Sequence, residues 1–84
     1  MNISPTGVDI TKRFFFALDY LKETKEIRGS KTFTNLYDID RRNFLFVKKN
    51  PNTSVLKPEW IHYLAKEYNI SLEWLFFGIG EIKN

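Results

Sequence analysis

Apolar residues recur at helical spacing through most of the chain. Ile10, Phe14, Ala17, Leu18 and Leu21 follow the three-and-four rhythm of one helix face, so residues 10–26 read as an amphipathic helix. Asp9 is the expected N-cap and Gly29 the expected stop. Phe15 and Phe16 fall beside the stripe; they either widen the buried face or leave one ring exposed as a partner surface. Residues 1–8 ahead of this helix are polar, carry Pro5 and Gly7 as breakers, and read as a flexible arm.

Four shorter helices follow. Ser30 is the expected cap of a helix over 31–37, which sends Phe33 and Tyr37 inward at i, i+4. Asp38-Ile39-Asp40 makes a tight connection, and Asp40 caps a third helix over 41–49 with Phe44 and Val47 inward. Asn50-Pro51-Asn52 ends that helix and opens a loop over 50–57. Pro58 takes the favoured first-turn position of a fourth helix, whose stripe is Ile61, Leu64, Ala65 and Tyr68 and whose stop is Asn69. Ser71 caps a fifth, with Leu72, Leu75 and Phe76 inward and Gly78 and Gly80 after it. No segment sustains the alternation of a strand. The expectation is an all-α, five-helix domain over residues 9–82.

Composition narrows the class. The chain has 84 residues, 43% of them hydrophobic, with eight Phe, four Tyr and two Trp. That suits one small domain with an aromatic core and is too apolar for a disordered chain. The longest apolar run is Phe14 to Leu18, far short of the roughly 18 residues of a membrane span. Met1 to Asp9 lack the basic and apolar regions of a signal peptide. There is no Cys, hence no disulfide and no thiolate metal site. A soluble cytoplasmic protein without membrane association is expected.

Charge is placed unevenly. Residues 1–27 hold four Lys/Arg and four Asp/Glu; residues 28–50 hold six (Arg28, Lys31, Arg41, Arg42, Lys48, Lys49) against two; residues 51–84 hold three against four. The net +3 of the chain therefore resides in one short window, which points to a polyanion; a solvated basic face is the plainer alternative.

That window contains two short helices and a tight turn over residues 30–49, the size of a helix-turn-helix. Where such helices cross, the unit needs apolar residues, and Phe33, Thr34, Tyr37, Ile39, Phe44 and Val47 stand there. Asp40, Arg41, Arg42, Leu45, Phe46 and Lys49 form the outer face of its second helix. Asp38 occupies the turn position where glycine is usual; Asp tolerates left-handed backbone better than most residues.

Further along, Lys57-Pro58-Glu59-Trp60-Ile61 leads through Leu64-Ala65-Lys66-Glu67 to Tyr68-Asn69-Ile70-Ser71-Leu72-Glu73-Trp74-Leu75 and then Gly78-Ile79-Gly80-Glu81. This stretch resembles the helix-turn-helix domain of phage repressors of the lambda repressor and Cro type, in its Ser-x-x-Trp-Leu junction and Gly-x-Gly-Glu end. The likeness spans roughly residues 10–82. Where that family has Gln-x-x-Leu-Ala in the second helix, this chain has Ser30, Lys31, Thr32, Phe33 and Thr34. Arg41-Arg42-Asn43-Phe44 also resembles the opening of the recognition helix in short DNA-binding proteins of mobile elements.

The resemblance implies sequence-specific binding of double-stranded DNA by a transcriptional regulator of a phage or mobile element, without a cofactor or small-molecule ligand. The third helix would enter the major groove. There Arg41 or Arg42 would address guanine, Asn43 adenine, and Leu45 and Phe46 a thymine methyl. Arg28, Ser30, Lys31, Thr32, Lys48 and Lys49 would meet phosphates. The arm lacks Lys and Arg, so no minor-groove role is expected of it.

Each residue also has a plainer role. Arg41 and Arg42 can pair with Asp38 and Asp40, and Asn43 can be a solvated helix position. Lys48 and Lys49 complement a helix C-terminus, and Phe46 can pack on the 50–57 loop. A homodimer is compatible with the pattern, through Trp74 and Phe77 on the last helix. The alternative function is a protein–protein adaptor using Leu45 and Phe46. No enzyme is expected: His62 is the single His, Asp38 and Asp40 read as a turn residue and a cap, and no glycine-rich phosphate loop occurs. Trp60, Trp74, Phe76 and Phe77 read as an aromatic cluster of the core.

Overall fold

A computed structural model describes residues 2–84. Its helices are α1 (Pro5–Glu23), α2 (Ser30–Leu36), α3 (Arg41–Lys49), α4 (Pro58–Tyr68) and α5 (Leu72–Phe77). The described residues form no strand; one isolated bridge joins Ile70 to Lys83. None of the helices is long and apolar enough to cross a membrane. The fold is all-α with five helices, as the hydrophobic pattern predicts.

α1 differs from expectation at both ends. It starts at Pro5, not after Asp9, because Ser4 is the N-cap: its hydroxyl accepts from the Gly7 N–H at 3.1 Å, and Pro5 fills the first turn. The expected arm of residues 1–8 is thus helical from Pro5 onward; Met1 lies outside the described residues. Ile3 donates its N–H to the Asn52 carbonyl at 2.7 Å, which ties the chain start to the α3–α4 loop. At the other end α1 stops at Glu23 instead of running to 26 and Gly29. Lys25 takes left-handed backbone (φ 66°), its N–H donates to the Lys22 carbonyl and the Glu26 N–H to the Leu21 carbonyl. This is the Schellman pattern with lysine in the place glycine usually fills.

The remaining termini follow local chemistry. Asp40 caps α3, accepting from the N–H groups of Arg42 and Asn43. Asn69 and Gly78 are left-handed after α4 and α5, and the Ser71 hydroxyl accepts from the Trp74 N–H. At α2 the expected cap is displaced by one: Ser30 is the first helical residue and extended Gly29 precedes it, with no side-chain cap.

Phe14 is the centre of the core. Its ring meets Phe15 at 5.0 Å, Phe33 at 6.1 Å, Phe44 at 6.0 Å and Trp60 at 6.4 Å between centroids. Most of these are edge-to-face contacts, the arrangement aromatic quadrupoles favour. Ala17, Leu18, Leu21, Ile27, Val47, Leu64, Ile70 and Leu75 complete the core. Sequence periodicity had placed Ile61, Ala65 and Tyr68 inward on α4; they are half-buried, and Trp60 and Leu64 are the buried pair. Leu72 is exposed and Phe76 half-buried, so Leu75 is the one fully buried side chain of α5. The expected aromatic cluster of Trp60, Trp74, Phe76 and Phe77 does not form as one: Trp60 joins the core, Trp74 lies beside Phe16, and Phe77 is exposed.

Candidate nucleic-acid interface

The connection between α2 and α3 is short and tightly fixed. Asp38 is left-handed (φ 52°), and the Ile39 N–H donates to the Thr34 carbonyl at 2.8 Å. Phe33, Thr34, Phe44 and Val47 are buried and Tyr37 and Ile39 half-buried, so all six crossing positions face inward at least in part. Tyr37 stacks on Tyr63 of α4, with centroids 4.4 Å apart and planes 5° from parallel. Burial, with the neighbouring Tyr68 next in weight, pushes the Tyr37 hydroxyl up to about 12. The turn is therefore held against α4 as well as by its own hydrogen bonds.

With Phe44 and Val47 directed into the core, helical geometry fixes the opposite face of α3. Arg42, Leu45, Phe46 and Lys49 follow one another at i, i+3, i+4 and i+7 on that face. Arg42 and Lys49 are exposed, Leu45 is half-buried, and Phe46 is 55% exposed. More than half of Phe46 is therefore open to solvent. Two cations bracket two apolar side chains along about one helix length of 10 Å.

The other basic candidates are distributed around this stripe. Arg41 is exposed at the edge of the face, one helical column away from Arg42. Lys48 lies in the same column as Arg41 and turns toward α1, lining a groove with Thr11, Phe15, Phe16 and Asp19. It is thereby separated from Lys49 and from the outward stripe. Asn43 is half-buried on the opposite flank, in line with Val47. On the α2 side, Arg28 and Lys31 are exposed while Ser30 and Thr32 are half-buried. The Thr32 N–H already donates to the Gly29 carbonyl.

The Asp40 carboxylate is engaged by backbone N–H groups at 3.0 and 3.5 Å, and Asp38 serves the turn. The plainer alternative, pairing of Arg41 and Arg42 with these acids, does not occur: the ion pair found among the described residues is Lys83 with Glu26, at 2.6 Å. Both arginine heads thus face solvent without a carboxylate partner there. His62 is exposed on α4, and no three His, Cys, Asp or Glu side chains converge among the described residues.

Two contacts lie beyond sequence reasoning. Arg13 of α1 donates from Nε to the Leu75 carbonyl at 2.6 Å and from Nη2 to the Phe76 carbonyl at 3.0 Å, capping α5 from another helix. Phe16 meets Trp74 at 6.0 Å. Each pairing joins residues about sixty positions apart, and no local pattern announces it.

Compared with models of known families, with curated proteins and with solved structures, the chain matches none.

Proposed function

We propose that the protein binds double-stranded DNA through α3, as a helix-turn-helix regulator of a phage or mobile element, acting in the cytoplasm. The observation that carries this reading is the outward stripe of α3. A short helix, set against α2 by a fixed turn, exposes Arg42 and Lys49 with Leu45 and Phe46 between them. Such a helix fits the major groove in width, and its polar and apolar groups match what the groove displays. Arg42 is the residue assigned to a guanine edge. Arg41, Arg28, Lys31 and Lys49 supply phosphate contacts, while Leu45 and Phe46 suit thymine methyls. Asn43 and Lys48, which lie off the stripe, contribute less.

Fluorescence anisotropy of a labelled duplex over a salt series tests this. Affinity is expected to fall steeply with salt, with a slope of about 0.9 per phosphate neutralised. The Arg41→Ala/Arg42→Ala double variant is expected to bind weakly at every salt concentration. Absence of binding at low salt overturns the reading. The second reading, a protein adaptor, draws on the 55% exposure of Phe46. It predicts a partner lost with Leu45→Ala/Phe46→Ala and held nearly independently of salt.

A further inference from the structure

Phe16 stands on the solvent face of α1, 60% exposed, with Trp74 as its aromatic neighbour. It forms a ridge between two grooves. One, of about 280 Å³, is lined by Thr11, Lys12, Phe15, Asp19, Lys48 and Pro51; the other, of about 430 Å³, by Lys12, Arg13, Trp74 and Gly78. Phe77 and Ile79, on either side of Gly78 in the chain, are 71% and 59% exposed. A ridge of one large ring between two grooves is a shape that a like ridge can fit.

Charge selects the occupant. The exposed column of α1 in line with Phe16 reads Asp9, Lys12, Phe16, Asp19 and Glu23, basic just before Phe16 and acidic after it, while exposed Lys22 stands about a third of a turn to the side. A uniformly acidic partner would meet Asp19 and Glu23, and a uniformly basic one Lys12 and Arg13. A second copy of the same helix, laid antiparallel about a two-fold axis near Phe16, meets neither problem. In that arrangement a residue some places before Phe16 faces one the same number after it. Lys12 and Arg13 of each copy then lie within one residue of Asp19 of the other, and symmetry makes the match twice. Asp9 and Glu23, which are alike in charge, fall seven residues from the centre. That is about 10 Å along the axis, where crossed helices have splayed apart. Arg13 is already fixed by its bonds to the α5 carbonyls and keeps N–H groups to spare.

We infer that the α1 face centred on Phe16, with Trp74 beside it, is an interface between two copies of this chain. The contact is isologous, closes on itself and leaves the outward stripe of α3 uncovered. It places the interface on α1 as well as on the last helix, where sequence alone had pointed to Trp74 and Phe77.

Sedimentation equilibrium of the whole chain over a concentration series tests this without reference to DNA. A monomer–dimer equilibrium is expected. Phe16→Glu is expected to weaken it at least about tenfold, with an unchanged circular dichroism spectrum. Lys12→Asp and Asp19→Lys are each expected to weaken it too. Mixing these two variants, one with two acids and the other with two bases at the paired positions, is expected to restore association as a heterodimer. A wild-type chain still monomeric at about 1 mM, a dimer indifferent to Phe16→Glu, or a mixture that associates no better than its components overturns the inference.

Discussion

Two phenylalanines two positions apart on α3 should respond very differently to truncation. Phe44 is fully buried, with ring centroids 4.9 Å from Trp60, 5.1 Å from Phe15, 5.9 Å from Phe33 and 6.0 Å from Phe14. Phe44→Ala removes four aromatic neighbours at once and leaves a cavity between α1, α2, α3 and α4. Buried Phe→Ala changes cost about 3–5 kcal/mol. A chain of 84 residues has roughly 4–13 kcal/mol of stability in total, so the loss takes between about a quarter of that total and all of it. The melting temperature should fall by at least about 12 °C. Phe46→Ala removes an exposed ring and should change stability by no more than about 0.5 kcal/mol. Thermal and urea denaturation followed by circular dichroism separate the two outcomes. Equal losses for the two variants would refute the orientation assigned to α3, and with it the outward stripe.

Three other outcomes follow from the same physics. Lys25→Gly and Asp38→Gly, at left-handed positions (φ 66° and 52°), should each raise stability by about 0.5–1 kcal/mol in chemical denaturation; a loss at either would show that the side chain is needed there. Because burial raises the Tyr37 hydroxyl from 10.0 to about 12, its contribution is complete below pH 10 and is lost as pH rises toward 12. Tyr37→Phe should therefore flatten the alkaline fall in stability across that window, followed by denaturation at stepped pH. The Glu26 carboxyl is lowered, first by its hydrogen bond from Lys83, so its contribution is present above the usual carboxylate range and is lost as pH falls through the lowered value. For so exposed a pair, Lys83→Gln should remove no more than about 1 kcal/mol near neutral pH and nothing once Glu26 is protonated.

Local signals were the legible ones. Asp40 before an apolar-periodic run and Asn50-Pro51 after it bound α3 at both ends, and Pro58 with Asn69 did the same for α4. The inward pair Phe44 and Val47 was readable from spacing, and with it the outward Arg42, Leu45, Phe46 and Lys49. Where a signal had two meanings, the structure chose. Pro5 and Gly7 look like breakers, yet after Ser4 the proline opens a helix; a Cβ on Gly7 would stand 2.6 Å from the Ile3 side chain, so glycine suits that first turn. The end of α1 was not legible because the left-handed cap is a lysine, and nothing in composition marks it. The bonds from Arg13 to α5, the turn of Lys48 toward α1 and the meeting of Phe16 with Trp74 depend on how α1, α3 and α5 pack together. Such long-range choices are made by the assembled core, in which each helix end settles where its neighbours leave room.

Whether α3 is the face that reads nucleic acid can be followed residue by residue by nuclear magnetic resonance. Amide shifts of the labelled protein would be followed while a short duplex is added at low salt. The largest changes are expected on Arg41 to Phe46 and on the residues opening α2, and they should fade as salt is raised. Unchanged α3 amides, or changes centred on Phe16 and Trp74 instead, would contradict the role proposed for α3.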